Sequence, residues 1–335
     1  MPIDAAAALA AAPRTGRIAW EAKDVQLYHL GIGAGVPATD PRELRYTLES
    51  RLHVLPSFAT VAGAGAPGVI AGLSMPGVDV DLARVLHGGQ SLRVHRPIPV
   101  RGTATATSRI TAVYDKVTAA VLVLRTDVAD EEGPLWTGEA RIFVRGEGGW
   151  GGERGPSGRA DAPAGEPGAV VERRVREDQA LLYRLSGDLN PLHADPGFAA
   201  RAGFDRPVLH GLCTYGITLK AVVDTLLDGD VTRVRDYTAR FAGVAYPGET
   251  LRVRMWEEAG ERKPGERKSG QRKSGQRKSG QRKSGERRAG SGGRGCGACG
   301  RGARRCRARG LVRVVVSAVE RGDVPVLDGT VVRRR

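Results

Sequence analysis

Alternating hydrophobic and polar positions in the first half of the chain predict a run of antiparallel strands. The alternating segments are separated by turn-forming residues, with Tyr114-Asp115 as the break between the second and the third, and they span residues 91–98, 102–113, 116–126 and 135–144. Ahead of them, residues 55–73 are apolar and rich in glycine and alanine. We expect a buried helix there, broken near Ala66-Pro67. Because each glycine costs a helix about 1 kcal/mol relative to alanine, tertiary burial must stabilise it.

The second half of the chain repeats this order of elements. A strand is predicted at residues 170–175 and a helix at residues 177–186, with Leu181 and Leu182 on its inner side. A short helix is predicted from Asp195 or Pro196 to Ala202. A long, mostly apolar helix follows at residues 208–227. Four strand candidates come after it, at residues 233–244, 249–257, 311–319 and 324–332. One long buried helix wrapped by an antiparallel sheet, twice over, predicts an α+β double hot-dog fold.

Shifts in composition predict the domain boundaries. Residues 1–145 form an N-terminal repeat, residues 146–168 a Gly/Pro-rich linker, and residues 169–335 a C-terminal repeat. A basic segment at residues 257–310 interrupts the C-terminal repeat and contains five pentads of the type GQRKS. Its glycine, serine and like-charge content predicts disorder. It separates two strands that would otherwise form a hairpin, so we interpret it as an insertion in a hairpin loop, where added length costs little.

The formal net charge of +15 belongs to this insertion. Residues 261–310 contain eighteen Lys or Arg and three Glu, so the rest of the chain is neutral. We therefore expect no nucleic-acid surface on the folded body. For the insertion we favour a solvated loop. The alternatives are a polyanion-binding tail and a zinc site, whose candidate ligands Cys296, Cys299 and Cys306 lack a fourth partner nearby.

Cysteine usage and hydropathy predict a cytoplasmic location. Three of the four cysteines lie in the basic segment and Cys213 stands alone, which is typical of a reducing compartment. The apolar run within residues 1–17 is preceded by Asp4 and by no basic residue, unlike a signal peptide. No run approaches the ~20 apolar residues that span a membrane, and a hydrophobic content of 41% supports sizeable cores.

The candidate chemistry is concentrated where Asp188, Asn190 and His193 lie within six residues around Pro191. Asp188 and His193 would be out of phase on one helix, but Pro191 indicates a turn, which lets both side chains point inward. An acid, an amide and an imidazole would then converge on one polar spot. The structural alternatives are an Asx turn at Asp188, a turn opened by Asn190, and a core histidine. For Cys213 we favour packing within the long helix, since no activating cation is evident.

The segment from Tyr183 to Ala199 resembles the R-specific enoyl-CoA hydratases of the MaoC-like dehydratase family. The family pattern is an aromatic residue, a small residue, Gly-Asp-x-Asn-Pro-aliphatic-His, five residues and a small residue. Here it reads Tyr183, Ser186, Gly187-Asp188-Leu189-Asn190-Pro191-Leu192-His193 and Ala199. His210-Gly211-Leu212-Cys213 is similar to the second conserved block of the family, and residues 86–99 are similar to its non-catalytic N-terminal repeat. The resemblance covers nearly the whole chain apart from residues 257–310.

The resemblance implies reversible hydration of trans-2-enoyl-CoA to (3R)-3-hydroxyacyl-CoA in fatty acid metabolism, without a cofactor or a metal ion. Asp188 and His193 would hold and activate the water, and Asn190 would orient the water or the carboxylate. The backbone N–H of Gly211, aided by the helix dipole, would bind the thioester oxygen. The first half lacks the motif and is expected to shape the acyl pocket. The two halves are expected to pair within one chain and to be compatible with a further homodimer.

Three other functions are compatible with the sequence. With the same fold, the substrate could be a (3R)-hydroxyacyl carrier protein or a sterol side-chain enoyl-CoA, and a substrate panel separates these. The chain could instead be a binding module that attaches to a polyanion through the basic insertion, which gel shifts at rising salt would test.

Overall fold

The computed structural model describes residues 3–65, 75–81, 84–156, 163–259 and 310–335. Its α-helices in this part of the chain are α1 (Ala5–Ala10), α2 (Ala22–Gly31), α3 (Pro41–Leu44), α4 (Ala62–Gly65), α5 (Gln179–Tyr183), α6 (Pro196–Arg201) and α7 (Gly211–Leu226). Short 3₁₀ turns occur at Glu49–Arg51, Pro56–Thr60, Arg184–Ser186, Pro191–His193, Val231–Arg233 and Val319–Arg321. None of the described helices is both long enough and apolar enough to cross a membrane.

The described strands form one continuous antiparallel sheet. They are β1 (Arg14–Trp20), β2 (Val85–Val94), β3 (Gly102–Asp115), β4 (Ala119–Asp130), β5 (Gly133–Arg145), β6 (Ala169–Arg174), β7 (Val234–Phe241), β8 (Thr250–Ala259), β9 (Gly310–Ala318) and β10 (Val324–Arg334). Their order across the sheet is β1-β3-β4-β5-β2-β7-β10-β9-β8-β6. The five strands of each half are therefore contiguous, and the halves meet at a single seam between β2 and β7.

Backbone pairing and side-chain contacts both hold this seam. Ser91 pairs with Thr238 in the antiparallel ladder, and their hydroxyl oxygens are 3.3 Å apart. Two register positions further, the Arg93 guanidinium donates to the Asp236 carboxylate at 2.6 Å. Cross-strand pairs of this kind stabilise a sheet by roughly 0.2–1 kcal/mol each. The seam therefore continues the ladder from one half into the other.

The long helix α7 forms the centre of the core. All residues from Cys213 to Val223 are buried, which is the pattern of a helix covered on every side. Tyr215 on α7 and Tyr237 on β7 each donate a hydroxyl hydrogen bond to the other's backbone carbonyl at 2.9 Å, and their rings stack 3.9 Å apart. The apolar wrapping and this reciprocal pair hold α7 against the sheet.

Helix α2 of the first half packs directly on α7. A Cβ atom at Gly216 would lie 2.5 Å from the Tyr28 hydroxyl oxygen and 2.6 Å from Ile32 Cγ2, so only glycine permits this approach. One turn further along α7, the Lys220 ammonium, 5% exposed, donates to Glu43 at 2.7 Å and to Asp224 at 2.8 Å. The first half is thus attached to the central helix by close packing and by a buried ion pair.

Most predicted strands are confirmed, and β2 is the main exception. The prediction placed it at residues 91–98, whereas the strand runs from Val85 to Val94. The pairing with β5 shifts register between His87 and Gly89, and this bulge breaks the alternation that the prediction relied on. The turn between β3 and β4 also differs. Tyr114 and Asp115 belong to β3, and the chain turns after them at Val117, which has a φ of 72°.

The helix predictions are correct in number within the second half but not in every boundary. The segment predicted as a helix at residues 177–186 is α5 followed by a 3₁₀ turn, and α7 begins at Gly211 instead of residue 208. Leu181 was predicted to face inward, and this is wrong, because its side chain is 53% exposed. The buried residues of α5 are Gln179, Ala180 and Tyr183. Gln179 Nε2 donates to the Leu30 carbonyl at 3.2 Å, so contact with α2 sets the buried face.

The glycine-rich stretch at residues 55–73 is only partly described. Its described part is the 3₁₀ turn Pro56–Thr60 followed by α4, and the predicted break at Ala66-Pro67 lies outside the described residues. The same holds for residues 157–162 of the predicted linker. Another part of that linker is held in place, because the backbone N–H groups of Gly149 and Gly151 donate to the Asp115 carboxylate at 2.8 Å.

The predicted basic insertion lies almost entirely outside the described residues, as do the zinc-ligand candidates Cys296, Cys299 and Cys306. Strand β8 continues to Ala259, two residues past the predicted start of the insertion, and β9 begins at Gly310. Ala259 and Gly310 are directly paired in the ladder. The chain therefore leaves the sheet and returns to it at adjacent positions.

Candidate active site

The predicted motif occupies two tight turns between α5 and α6. Gly187 ends the first turn with a φ of 118°, a backbone conformation that favours glycine. Asp188 Oδ1 then accepts a hydrogen bond from Asn190 N at 3.2 Å, and Asn190 Oδ1 accepts one from Leu192 N at 3.0 Å. Both side chains thus serve as turn formers, as the structural alternative predicted. The turns also bring Asp188 and His193 to the same side of the segment.

His193 is held as a neutral imidazole with one free nitrogen. Its Nδ1 lies 2.8 Å from the Val208 carbonyl oxygen, and because a carbonyl can only accept, Nδ1 carries the proton. Nε2 is then unprotonated in the neutral ring. Burial lowers the pKa of His193 below its ordinary value, against the attraction of Asp188, and the residue is 9% exposed. A buried imidazole with a free lone pair is suited to act as a general base.

His210 joins these residues, and the sequence interpretation did not include it among the site residues. Its Nε2 donates to the Asp188 backbone carbonyl at 3.1 Å, and its ring stacks on that of His193 with centroids 3.7 Å apart and planes at 28°. Burial and the neighbouring His193 lower the pKa of His210 to about 2. One polar atom of each of Asp188, His193 and His210 lies within 4.8 Å of the others. The structure therefore adds His210 to the predicted pair of Asp188 and His193.

These three groups do not fit a metal ion well as they stand. Two imidazoles bind one metal through lone pairs in their ring planes at roughly 2.1 Å. Rings stacked at 3.7 Å, with planes only 28° apart, keep those lone pairs in two separate layers, so they do not converge on one ion without rotation. The arrangement is better suited to holding a small polar molecule such as water.

Gly211 lies at the first position of α7, directly after His210. The first hydrogen bonds of the helix run from Cys213 N and Thr214 N to the His210 carbonyl, so the N–H groups of Gly211 and Leu212 have no acceptor within the helix. The helix dipole adds partial positive charge at this end. A Cβ at position 211 would meet the Phe241 ring at 3.3–3.5 Å, so any larger residue here would press against that ring.

The first half also reaches this end of α7. The His87 ring, on β2, packs edge-on against Phe241 with centroids 4.9 Å apart, and Phe241 in turn lies against Gly211. Burial lowers the pKa of His87 to about 4, so this imidazole is neutral at physiological pH. The sequence did not indicate that His87 lies near the site, because this position depends on the pairing of β2 with β7.

Cys213, two residues after Gly211, is buried inside the protein. Its Sγ donates to the Gly31 carbonyl at 3.3 Å. Burial raises the pKa of the thiol well above its ordinary value. The residue packs α7 against α2, in agreement with the sequence interpretation.

Comparison with known proteins defines the class to which this site belongs. A family model described as "MaoC like domain" matches residues 159–278, and one described as "MFE-2 hydratase 2 N-terminal domain" matches residues 19–146. The crystal structure of a MaoC-like dehydratase from Phytophthora capsici superposes with a TM-score of 0.74 at 24% identity, covering 99% of this chain and 98% of that one. A Mycobacterium tuberculosis protein described as a double hot-dog fold superposes with a TM-score of 0.54 at 14% identity, covering 97% and 95%. The predicted double hot-dog fold is confirmed.

A sequence relative gives the closer assignment. An enoyl-CoA hydratase of Mycobacterium tuberculosis, ChsH3, is 50% identical over 259 residues, which are 77% of this chain and 91% of the relative. The chain belongs to the MaoC-like enoyl-CoA hydratase family, and it is an enzyme of the hydro-lyase class.

Proposed function

We propose that this enzyme reversibly hydrates trans-2-enoyl-CoA to (3R)-3-hydroxyacyl-CoA, with Asp188 and His193 activating the water. Membership of the hydratase family supports the reaction and its place in fatty acid metabolism. The observation that carries the residue assignment is the approach of Asp188 to His193, whose polar atoms lie within 4.8 Å of each other. Because His193 Nδ1 is occupied by Val208, its Nε2 is the nitrogen left for the water.

The proposed reaction leaves the protonation state of the site unchanged. As the water oxygen adds to C3 of the enoyl group, one water proton passes to the Asp188–His193 pair. The pair then returns a proton to C2, the α-carbon, so the protein ends in its starting protonation state. A carboxylate and a neutral imidazole that share one water can each take part in this exchange.

Asn190 and Gly211 have supporting roles in this proposal. The side-chain oxygen Oδ1 of Asn190 accepts from Leu192 N, which leaves the side-chain NH₂ group to orient the water or the Asp188 carboxylate. The Gly211 amide, at the start of α7, would donate to the thioester oxygen as negative charge develops there. Loss of one such donor typically costs about 10²–10³ in kcat.

The first half would shape the acyl pocket in place of a second catalytic site. The motif does not occur before residue 146. The first half nevertheless contributes His87, on β2, whose ring packs against Phe241 near the start of α7. We further propose that residues 169–335 form the catalytic half of the enzyme and that residues 1–145 form the supporting half. We also propose that the enzyme is cytoplasmic, acts on an acyl-CoA substrate and forms a homodimer. Cell fractionation would test the location, and analytical ultracentrifugation would test the oligomeric state.

The deciding experiment is a hydration assay with crotonyl-CoA and longer enoyl-CoA esters, with chiral analysis of the product. The wild-type enzyme should form the (3R) alcohol, and Asp188→Asn and His193→Ala should each lower kcat by about 10²- to 10⁴-fold. Asp195→Asn is the matched control, because Asp195 only caps α6 by accepting from Phe198 N at 3.0 Å, and asparagine caps equally well. A (3S) product, or full activity in the two site variants, would contradict the proposal.

A further inference from the structure

His210 joins the turn that carries the catalytic carboxylate to the helix that carries the proposed oxyanion donor. Its backbone carbonyl accepts from Cys213 N at 3.0 Å and from Thr214 N at 3.2 Å, so its main chain begins α7. Its side chain turns away from the helix, where no capping bond is made, and donates from Nε2 to the Asp188 carbonyl. One residue therefore fixes the distance between Asp188 and Gly211.

The His210 ring also fixes the plane of the His193 ring. The centroids of the two imidazoles are 3.7 Å apart in a stacked arrangement. The Tyr183 ring makes a second, tilted contact with the His210 ring, with centroids 4.9 Å apart. His193 can rotate about its Cβ–Cγ bond only by displacing His210, which is 1% exposed and held at Nε2. Rotation would also break the hydrogen bond from His193 Nδ1 to the Val208 carbonyl.

The tautomers of both rings follow from the backbone carbonyls that they meet. His210 Nε2 and His193 Nδ1 each face a carbonyl oxygen, so each carries the proton and leaves the other nitrogen as an acceptor. His210 Nδ1 is buried without a partner among the described residues. The ring stays neutral because burial, His193 and the nearby positive charge of Arg184 all oppose protonation.

We propose that His210 is a positioning residue for the hydration reaction, which holds the Asp188 carbonyl and the His193 ring in their productive arrangement and transfers no proton itself. The inference rests on the proposed function of Asp188 and His193. Misplacement of a catalytic group by about 1 Å can cost 10²-fold in rate. Loss of either His210 contact should therefore lower kcat more than it changes substrate binding.

Two variants separate the two contacts. His210→Phe keeps a flat ring against His193 but has no donor for the Asp188 carbonyl. His210→Gln keeps an N–H donor at a similar reach but has no ring. We expect His210→Phe to lose about 10- to 100-fold in kcat with KM changed less than about twofold, and His210→Gln to recover part of that loss. His53→Gln, at an exposed histidine, is the control and should behave as wild type.

Three measurements decide the outcome: kcat and KM from pH 5 to 9, the melting temperature, and the ring nitrogen chemical shifts of His210. The inference requires an Nε2–H tautomer that does not titrate between pH 5 and 8, and a kcat loss without an equal rise in KM. Wild-type kcat in folded His210→Phe would overturn it, and so would disappearance of an ionisation from the pH profile, which would make His210 a proton carrier. A wild-type enzyme without hydratase activity would overturn the proposed function instead, while the nitrogen shifts would still decide the tautomer.

Discussion

The Lys220 ammonium on the central helix lies 2.7 Å from the Glu43 carboxylate of the first half. Asp224, one turn further along the helix, accepts from the same ammonium at 2.8 Å and from the Tyr46 hydroxyl at 2.7 Å. The four side chains form one network between α3, its following turn and α7. We refer to them as the Lys220 network.

Removal of the ammonium should destabilise the protein strongly. Lys220→Met would leave Glu43 and Asp224 mostly buried without their cation, and breaking a buried pair from one side typically costs about 3–5 kcal/mol. Urea unfolding would measure the loss of stability. The double variant Lys220→Met with Glu43→Gln should recover part of it. A loss in the double variant equal to the sum of the losses in the two single variants would show that the two residues are not coupled.

Substitution of Gly216 should separate α2 from α7. Gly216→Ala places a methyl group 2.5 Å from the Tyr28 hydroxyl oxygen and 2.6 Å from Ile32 Cγ2, and overpacking of this kind typically costs about 1–3 kcal/mol. Adding Tyr28→Phe removes one of the two clashing atoms and should restore part of the stability. Gly16→Ala is the control, because a Cβ there would have open space around it. Denaturation of the variants in urea gives the comparison.

The pH dependence of activity should reflect a histidine with a lowered pKa. His193 must be neutral to accept a proton, and burial lowers its pKa below the ordinary 6.5. The neutral form therefore persists to lower pH than for a free histidine, and the acidic limb of kcat/KM should lie below pH 6.5. A pH–rate profile with crotonyl-CoA measures it. An acidic limb at or above pH 6.5 would argue against a buried neutral His193.

Protein stability should fall as the pH drops below 6.5, because His29 is buried as a neutral ring. Its Nδ1 lies 2.8 Å from the Tyr46 carbonyl oxygen, its Nε2 accepts from Leu55 N at 3.2 Å, and burial lowers its pKa to about 3. The unfolded chain takes up the proton near pH 6.5 and the folded chain does not, so acid favours unfolding. This histidine alone should cost about 2 kcal/mol between pH 6.5 and 5. Urea unfolding of the wild type and of His29→Gln at both pH values would show whether the dependence diminishes in the variant.

Replacement of residues 260–309 by Asn-Gly tests the interpretation of the basic segment as a loop insertion. Ala259 and Gly310 are directly paired, and Asn-Gly is well suited to a two-residue hairpin turn. The net charge should fall from +15 to zero, since the removed residues carry it. We expect the shortened enzyme to fold and to retain its hydratase activity. Loss of both would show that the segment contributes to the fold.

The strands were predictable from sequence wherever the alternation was local and unbroken. β3, β5, β9 and β10 fall within a few residues of their expected positions. β2 was shifted because the bulge at Gly88-Gly89 breaks the period of two. The β3–β4 turn looked like part of a strand because its residues, including Val117, favour strands. The conformation there depends on the Asp115 carboxylate, which accepts from Val117 N at 2.8 Å.

The site was likewise predictable only where its residues lie close together in the sequence. Pro191 and the short spacing indicated that Asp188 and His193 converge, and both lie in one segment. His210 was not predictable from spacing, because its contact with Asp188 joins residues twenty-two positions apart through a backbone carbonyl. His87 was still less accessible, since only the seam between β2 and β7 brings it near Gly211. A contact to a backbone carbonyl cannot be predicted from the pattern of side chains along the sequence, because every residue has such a carbonyl.

The order of strands has a consequence for how this enzyme behaves at high concentration. In the described part of the chain, the outermost strands of the sheet are β1 and β6, with seven and six residues. Short outer strands with charged side chains resist pairing with a second molecule, and both carry arginines, Arg17 on β1 and Arg173 on β6. Strands β2 and β7, with ten and eight residues, would be outer strands if each half-sheet stood alone. Because they pair with each other at the seam, these longer edges are closed to a second molecule.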